Sequence, residues 1–447
     1  MEVEAWLARA ARARPEHTAL ATPAGTWSYA QLHAAARAGA RELQERGAMR
    51  GARVAIALPA GLELAQALHA CLLLGAVAVP VDLRLAAAER ALVADGAAVL
   101  VDEPLAPAGA FEDVQESSVP GEGVHELDAP AVVIHTSGTT AAPRPVALTY
   151  GNILWSALGS AVALGLDREE RWLCTLPLSH VGGLSILLRS TIYATSAVVH
   201  ERFETERVLR SLQAGEATLV SLVATTLARL LDAGLRQPPA LRCALTGGGP
   251  VPAALVRRAH EAGVPVSLTY GLTESCSQAT TTPVAAIGGA PASAGTPLFC
   301  TRLRIAADGE ILVAGPTVAP GALASDGWLH TGDLGELDER RRLRVSGRKA
   351  DTIVSGGENV APAEVEAVLE AHSGVLEAAV LGREDPQWGE AVTAVVVARA
   401  GERLNAEELR AHCAGALAPY KVPREFVLAS EPLPRTRSGK LLRRELR

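Results

Sequence analysis

Aromatic residues are scarce in this chain: six Trp, five Tyr and four Phe make up 3% of 447 residues. A core so poor in rings must rest on Ala, Leu and Val. Cysteine is sparse as well, with Cys71, Cys174, Cys243, Cys276, Cys300 and Cys413 scattered along the chain. No two of them form a C-x-x-C pair and no histidine cluster accompanies them, which argues against a zinc site and a disulfide framework and fits a reducing compartment. Positive charge is not in excess: 42 Lys and Arg against 49 Asp and Glu leave a net charge of -7. That balance argues against nucleic-acid binding and against a basic membrane-surface role. Long hydrophobic runs are missing too. The most apolar stretch, 65–81, is broken by Gln66, His69 and Pro80, and reads as helix then strand rather than a membrane span. The residues up to His17 lack the apolar region of a signal peptide. A cytoplasmic protein without membrane or nucleic-acid partners is the expectation.

What is present is hydrophobic content of 49% against 20% charged residues, enough for a sizeable core. The length implies two or three domains. From the N-terminus to about residue 270, short apolar runs alternate with amphipathic or buried helical stretches. Strand-like segments lie at 54–58, 76–81, 97–101, 131–135, 172–176, 197–200, 218–222, 242–246 and 266–270. Helical segments lie at 29–46, 62–75, 152–164, 183–193 and 225–235. This alternation is the signature of α/β architecture with mostly parallel sheets. After about residue 300 the pattern changes to short strands at 302–306, 310–314 and 343–346, which reads as a small antiparallel subdomain. Asp338-Glu339-Arg340-Arg341-Arg342 reads as a solvated turn. The remainder, from 348, has helices at 362–371 and 405–417 and strands at 375–382 and 391–398. About a hundred residues suffice there for a small α+β domain.

Six short motifs carry chemistry. His135-Thr136-Ser137-Gly138-Thr139-Thr140 follows a buried strand, and its hydroxyls and backbone N–H groups suit a phosphate anion. It is not a Walker A loop, and taken alone it reads better as an ordinary turn. Thr246-Gly247-Gly248-Gly249-Pro250 offers flat backbone to a base or ribose. In Thr269-Tyr270-Gly271-Leu272-Thr273-Glu274 the ring can stack, Thr273 can donate to phosphate, and Glu274 can ligate Mg²⁺. Leu329-His330-Thr331-Gly332-Asp333 reads as a tight turn with a carboxylate for ribose hydroxyls. The last two are Gly347-Arg348-Lys349-Ala350-Asp351, followed by Ser355-Gly356-Gly357-Glu358-Asn359, and Arg437-Ser438-Gly439-Lys440-Leu441.

In this order, the six motifs resemble the acyl-adenylate-forming superfamily of acyl-CoA synthetases, adenylation domains and luciferases over nearly the whole chain. Within it, Leu176-Pro177-Leu178-Ser179-His180-Val181-Gly182-Gly183-Leu184 and Tyr270-Gly271-Leu272-Thr273-Glu274-Ser275-Cys276-Ser277-Gln278 are similar to the o-succinylbenzoate-CoA ligase subfamily of menaquinone biosynthesis. The resemblance implies an AMP-forming acid-thiol ligase that uses ATP, Mg²⁺ and coenzyme A on a small carboxylic acid. It implies a domain over 1–347 and a mobile C-terminal domain over 348–447, and a homo-oligomer would be ordinary. By the same resemblance, Thr136, Ser137, Gly138, Thr139, Thr140 and Arg144 form the phosphate loop, and Glu274 with Thr140 holds Mg²⁺. Gly248, Gly249, Tyr270, Gly271 and Thr273 flank the nucleotide, and Asp333 and Arg348 take the ribose. Lys440 bridges carboxylate and α-phosphate, His180 gates the acid, and Gly356, Gly357 and Glu358 line the coenzyme A path. Arg189, a charge among Ile186, Leu187 and Leu188, calls for a partner. It is assigned to the second carboxylate of the acid, with Ser277 and Thr225 in support.

The loop departs from the family pattern. Ala141 and Pro145 stand where glycines are usual, and Arg144 replaces a lysine. A stiffer phosphate loop is the expectation. Two alternatives therefore stand beside the ligase: an aryl- or fatty-acyl-CoA ligase of other specificity, and a catalytically impaired nucleotide-binding paralogue.

Overall fold

A computed structural model of the chain describes residues 1–107, 123–136, 144–284, 293–355, 358–435 and 441–446. They fall into two compact units. One comprises Met1–Val251, Leu255–Leu303 and Val313–Leu329; the other comprises Pro252–Ala254, Arg304–Leu312 and His330–Arg447.

Among the described residues the first unit carries two large sheets, besides the antiparallel pair Glu2–Glu4 and Val124–Glu126. Among the described residues the larger has nine strands. Its central run is parallel, in the spatial order Val266–Tyr270, Cys243–Thr246, Leu219–Leu222, Arg171–Cys174, Ser196–Val199 and Thr18–Thr22. Antiparallel strands close each edge. The smaller sheet runs Val99–Val101, Arg53–Ile56, Val77–Pro80, Pro130–Thr136 in parallel, then Arg144–Thr149 antiparallel.

Side chains alternate across a strand, and the larger sheet uses both faces. Trp172, Cys174 and Val199 join one core; Leu173 and Val198 join another. The first core also takes Ile56, Val132 and Ile134 from the smaller sheet, so helices including Leu62–Leu74 and Val181–Tyr193 form a layer between the two sheets. Every residue from Leu64 to Leu74 is buried, as expected of a helix apolar on all sides. Gly75, at φ 73°, ends it, and the strand Val77–Pro80 follows. Among the described residues no helix is long and apolar enough to cross a membrane.

In the second unit, Ile353–Ser355, Glu358–Val360, Val375–Asp385 and Gly389–Ala398 form an antiparallel sheet, with Glu425–Ala429 added in parallel. Helices Pro362–Glu370 and Ala406–Ala414 cover it through Val365, Leu369, Leu409 and Cys413. Pro362 occupies the first helical position, where its missing N–H costs nothing.

The α/β reading holds. Short helices at Ala87–Ala94, Thr205–Gln213 and Ala253–Glu261 are absent from the sequence reading; each has only eight or nine residues, although Thr205–Gln213 is clearly amphipathic, with Val208, Leu209 and Leu212 buried. Two corrections bear on the site. Asp333 lies inside the nine-residue strand Leu329–Leu337, not in a tight turn. Gly332 at φ 69° and a register shift between Leu334 and Gly335 bend that strand without ending its pairing to Leu343–Arg348. Arg144 and Pro145 also leave the phosphate loop. They open the strand Arg144–Thr149, where Pro145 faces His135. A sheet-edge strand tolerates the missing N–H of proline; Ala141 and the rest of the loop, 137–143, lie outside the described residues.

Candidate active site

Parallel strands deliver the loops that follow them to one edge of a sheet, where α/β proteins bind ligands. In the larger sheet that edge carries His180, Thr225, Gly248 and Gly249, and the segment from Gly271 to Ser277. In the smaller sheet it carries Asp82, Arg84 and the chain after Thr136. The two edges meet, since Arg84 Nη2 stands 3.3 Å from His180 Nε2 and Asp82 Oδ2 stands 3.7 Å from the same nitrogen. Arg84 also grips Asp82 through two nitrogens. Burial pushes the Asp82 carboxyl up, but the hydrogen bonds and charge of Arg84, with His180, hold it below its ordinary value. Thr136 and Arg144 face each other across the hairpin that bounds the phosphate loop. Ser137, Gly138, Thr139 and Thr140 lie outside the described residues, as do Gly356, Gly357 and Lys440.

Gly248 and Gly249 are exposed just past the strand Cys243–Thr246. Gly248 has φ 78°, a conformation that costs an L residue energy. Tyr270 ends its strand. A Cβ on Gly271 would lie 1.5 Å from the Ser277 carbonyl oxygen, so only glycine lets the chain fold back here. Thr273, Glu274 and Ser275 form a single 3₁₀ turn, and the Leu272 N–H donates to Ser275 Oγ at 3.0 Å. Cys276 at φ 53° and Ser277 at φ 89° complete the reversal. Non-glycine residues hold such angles only when neighbours impose them. The neighbours are evident: the Ala319 N–H donates to the Glu274 carbonyl at 2.8 Å, and Ser156 Oγ donates to the Cys276 carbonyl at 2.5 Å.

Arg189 lies on the helix Val181–Tyr193 with only 2% of its surface exposed. Its Nη2 donates to Ser156 Oγ at 2.9 Å, and its guanidinium lies 5.7 Å from the Trp172 ring centre. Its Nε is buried without a hydrogen-bond partner among the described residues. None of their carboxylates pairs with it. Burial pulls the guanidinium below its usual value. It borders a small, mostly apolar cavity whose walls include Ile134, Ser156, Val181, Leu184, Ser185 and Cys276. That cavity reaches from the strand that feeds the phosphate loop to the turn that carries Glu274.

In the second unit, Arg348 Nε pairs with Asp333 Oδ1 at 2.7 Å across two antiparallel strands. Arg348 also donates to the Thr331 carbonyl, while Glu310 accepts from the Gly332 N–H at 2.8 Å. Glu358 opens the strand Glu358–Val360 with its side chain exposed. Thr225 and Ser277 are half-buried at the sheet edge.

Four residues escaped the reading of the sequence: Asp82, Arg84, Asn152 and Ser156. A charged pair directly after the buried strand Val77–Pro80 was a signal for the first two. For Asn152 the signal was Thr149-x-x-Asn152, a reciprocal cap with bonds of 3.0 and 2.9 Å. Ser156 gave none. Among the described residues no cluster of three metal-ligating side chains occurs. A lone carboxylate such as Glu274 fits Mg²⁺ held mainly by substrate phosphates and water, not by a protein cage.

The AMP-binding enzyme family model matches residues 7–323, and the AMP-binding enzyme C-terminal domain matches 364–440. The chain belongs to the AMP-binding enzyme family. It is 39% identical to the 2-succinylbenzoate–CoA ligase of Bacillus subtilis, over 99% of this chain and 97% of that one. Among solved structures it resembles the B. subtilis o-succinylbenzoate CoA synthetase in complex with the acyl-adenylate OSB-AMP, at TM-score 0.89 and 39% identity, covering 100% of this chain and 98% of that one. It also resembles ATP-bound MatB from Rhodopseudomonas palustris, at TM-score 0.88 and 26% identity over 99% and 98% of the two chains.

Proposed function

We propose that the protein is an AMP-forming acid-thiol ligase that converts o-succinylbenzoate to o-succinylbenzoyl-CoA with ATP, Mg²⁺ and coenzyme A, a step of menaquinone biosynthesis. The observation that carries the choice of acid is Arg189, a buried cation beside the cavity with no carboxylate partner among the described residues. Burying an unpaired charge is costly, and an acid bearing a second carboxylate supplies the missing anion. The walls around Ile134, Val181 and Leu184 match an aromatic ring in polarity, and the cavity, at about 10 Å³, would have to open to admit one.

The substrate carboxylate attacks the α-phosphate and pyrophosphate leaves; the coenzyme A thiol then displaces AMP from the acyl carbon. Mg²⁺, when bound, neutralises charge on the phosphates as the leaving group departs. Lys440 brings one positive charge to the point where two anions must meet, which lowers the barrier without proton transfer. Residues 136–140, with Arg144 at the strand entrance, surround the phosphates, and Glu274 with Thr140 holds the metal. Gly248, Gly249, Gly271 and Thr273 expose backbone or hydroxyl to the nucleotide and Tyr270 stacks on its base. The Asp333–Arg348 pair supplies an acceptor and a donor for the ribose. His180, held by Asp82 and Arg84, borders the acid entrance, with Thr225 and Ser277 at its rim. The C-terminal domain from 348 turns between the half-reactions and brings Gly356, Gly357 and Glu358 to the thiol path. The impaired-paralogue reading rests on the altered residues Ala141, Arg144 and Pro145, of which the last two open a strand.

The test is pyrophosphate release and thioester formation with o-succinylbenzoate, benzoate and a medium-chain fatty acid. Selective turnover of o-succinylbenzoate is expected, and Lys440→Ala should slow adenylation by about 10²- to 10³-fold. Preferred turnover of another acid would discard the acyl-pocket assignment and keep the chemistry. ATP binding without turnover of any acid would favour the paralogue.

A further inference from the structure

We propose that Ser156 is a positioning residue for acid selection: it fixes the Arg189 guanidinium and ties it to the turn that bears Glu274. The inference rests on the acyl-site reading above. Ser156 lies on the helix Tyr150–Leu164 and is 2% exposed. A serine hydroxyl has one proton to give and lone pairs to receive. Here the proton goes to the Cys276 carbonyl at 2.5 Å, so the lone pairs face Arg189, whose Nη2 donates at 2.9 Å. The hydroxyl therefore has a single polarity, and it sets where the remaining guanidinium N–H groups point. Without that bond to Ser156 the guanidinium would lie near the Trp172 face with no other side-chain hydrogen bond among the described residues to fix its orientation.

The same helix face braces the other side of the turn. Asn152 is four residues earlier, one helical turn away and on the same side. Its Nδ2 donates to the Pro316 and Val318 carbonyls at 2.8 and 3.0 Å, and the next residue, Ala319, donates its N–H to the Glu274 carbonyl. Asn152 and Ser156 thus grip both flanks of the 273–277 reversal, whose last residues hold positive φ. Only Ser156 also touches the cation. An acid that engages Arg189 thereby reaches, through one hydroxyl, the backbone two residues from the carboxylate assigned to the metal.

The experiment compares o-succinylbenzoate with 4-oxo-4-phenylbutanoate, the same acid without its ring carboxylate. The wild type is measured first. Indifference to the ring carboxylate there would overturn the acyl-site reading itself, before any variant is made. Given a preference, Ser156→Ala should lower the ratio of kcat/KM between the two acids by about 10- to 100-fold, mainly through KM, as for loss of a bond to a charged group. Ser156→Thr, which keeps the hydroxyl, should restore most of the ratio. Ser156→Cys, close in volume but a weak hydrogen bonder, should behave as the alanine variant does and serves if that variant fails to fold. Equal losses on both acids in the alanine or cysteine variant would show a structural role only and overturn the proposal.

Discussion

Arg348 and Arg189 place the same guanidinium in opposite surroundings. Arg348 is about half exposed, its side chain 49% accessible, and it meets Asp333 at 2.7 Å. Arg189 is buried and finds a hydroxyl and an indole face instead of an anion. The first cation is balanced within the protein, so its worth can be read from the structure alone. The second has no carboxylate partner among the described residues, and on the proposed reading the acid supplies it. Charge at a site therefore says less about function than whether the protein itself has neutralised it.

Replacing each arginine by methionine should break this comparison most sharply. Arg189→Met should lower kcat/KM for o-succinylbenzoate by about 10²- to 10³-fold, because a buried charge–carboxylate pair is worth several kcal/mol. The same change removes an unpaired buried charge at similar volume, so thermal stability should hold or rise. A clear fall in melting temperature would mean that Arg189 is balanced after all. Arg348→Met should do the reverse. It removes the partner that the buried Asp333 carboxylate meets at 2.7 Å and should cost about 1 kcal/mol of stability, the low end because the arginine is half exposed. Denaturant unfolding of the two variants side by side checks both signs.

The two units should also differ in their response to pH, by a smaller amount. In the first, burial pushes His69 down to about 4, with His33 adding to it, and pushes His125 down to about 3. His69 faces the Thr191 hydroxyl; His125 accepts the Trp6 N–H and stacks on Tyr150. An unfolded histidine takes a proton near 6.5, and these two resist it when folded. Their contribution is complete above that value and is lost as the pH falls toward about 4 and 3. In the second unit, burial raises Glu370 to about 7, with Glu366 and Glu377 adding to it and Arg435 opposing. A raised carboxyl works the other way: its contribution is complete below about 4.5 and is lost as the pH rises through about 7. Each effect should be on the order of 1 kcal/mol. Hydrogen exchange at pH 5.5 and pH 8 should therefore show the helix Leu62–Leu74 less protected at the acid end and the strands Val375–Asp385 and Gly389–Ala398 less protected at the alkaline end. Glu370→Gln should abolish the second trend. Parallel behaviour of the two units would remove the contrast.

Long periodic segments were legible. The helix from Tyr29 opens on a Ser28–Gln31 capping box and stops before Gly47, as its sequence implies. The apolar run at 65–81 is a buried helix and a strand, as read, but the break between them falls at Gly75, while Gln66 and His69 lie buried inside the helix. Gly248, Gly249 and the segment 271–277 fell just past the ends of parallel strands, because strand–loop–helix order carries its own geometry. Asp333 was misplaced because a Gly inside a strand reads locally as a turn, while the pairing that overrides it comes from Arg348, fifteen positions on. Pro145 was misplaced because proline reads as loop unless the strand is known to lie at a sheet edge.

The sequence by itself determined the α/β order, the buried helices and the set of motifs assigned to the candidate site, since each depends on residues near one another in the chain. It also marked Arg189 as a charge in an apolar stretch. Only the tertiary structure decided what that charge meets. Ser156 and Cys276 are 33 and 120 positions from their respective partners, Arg189 and Ser156. No local pattern records a hydroxyl whose one proton is committed to a distant carbonyl, and that commitment is what turns its lone pairs toward the buried cation.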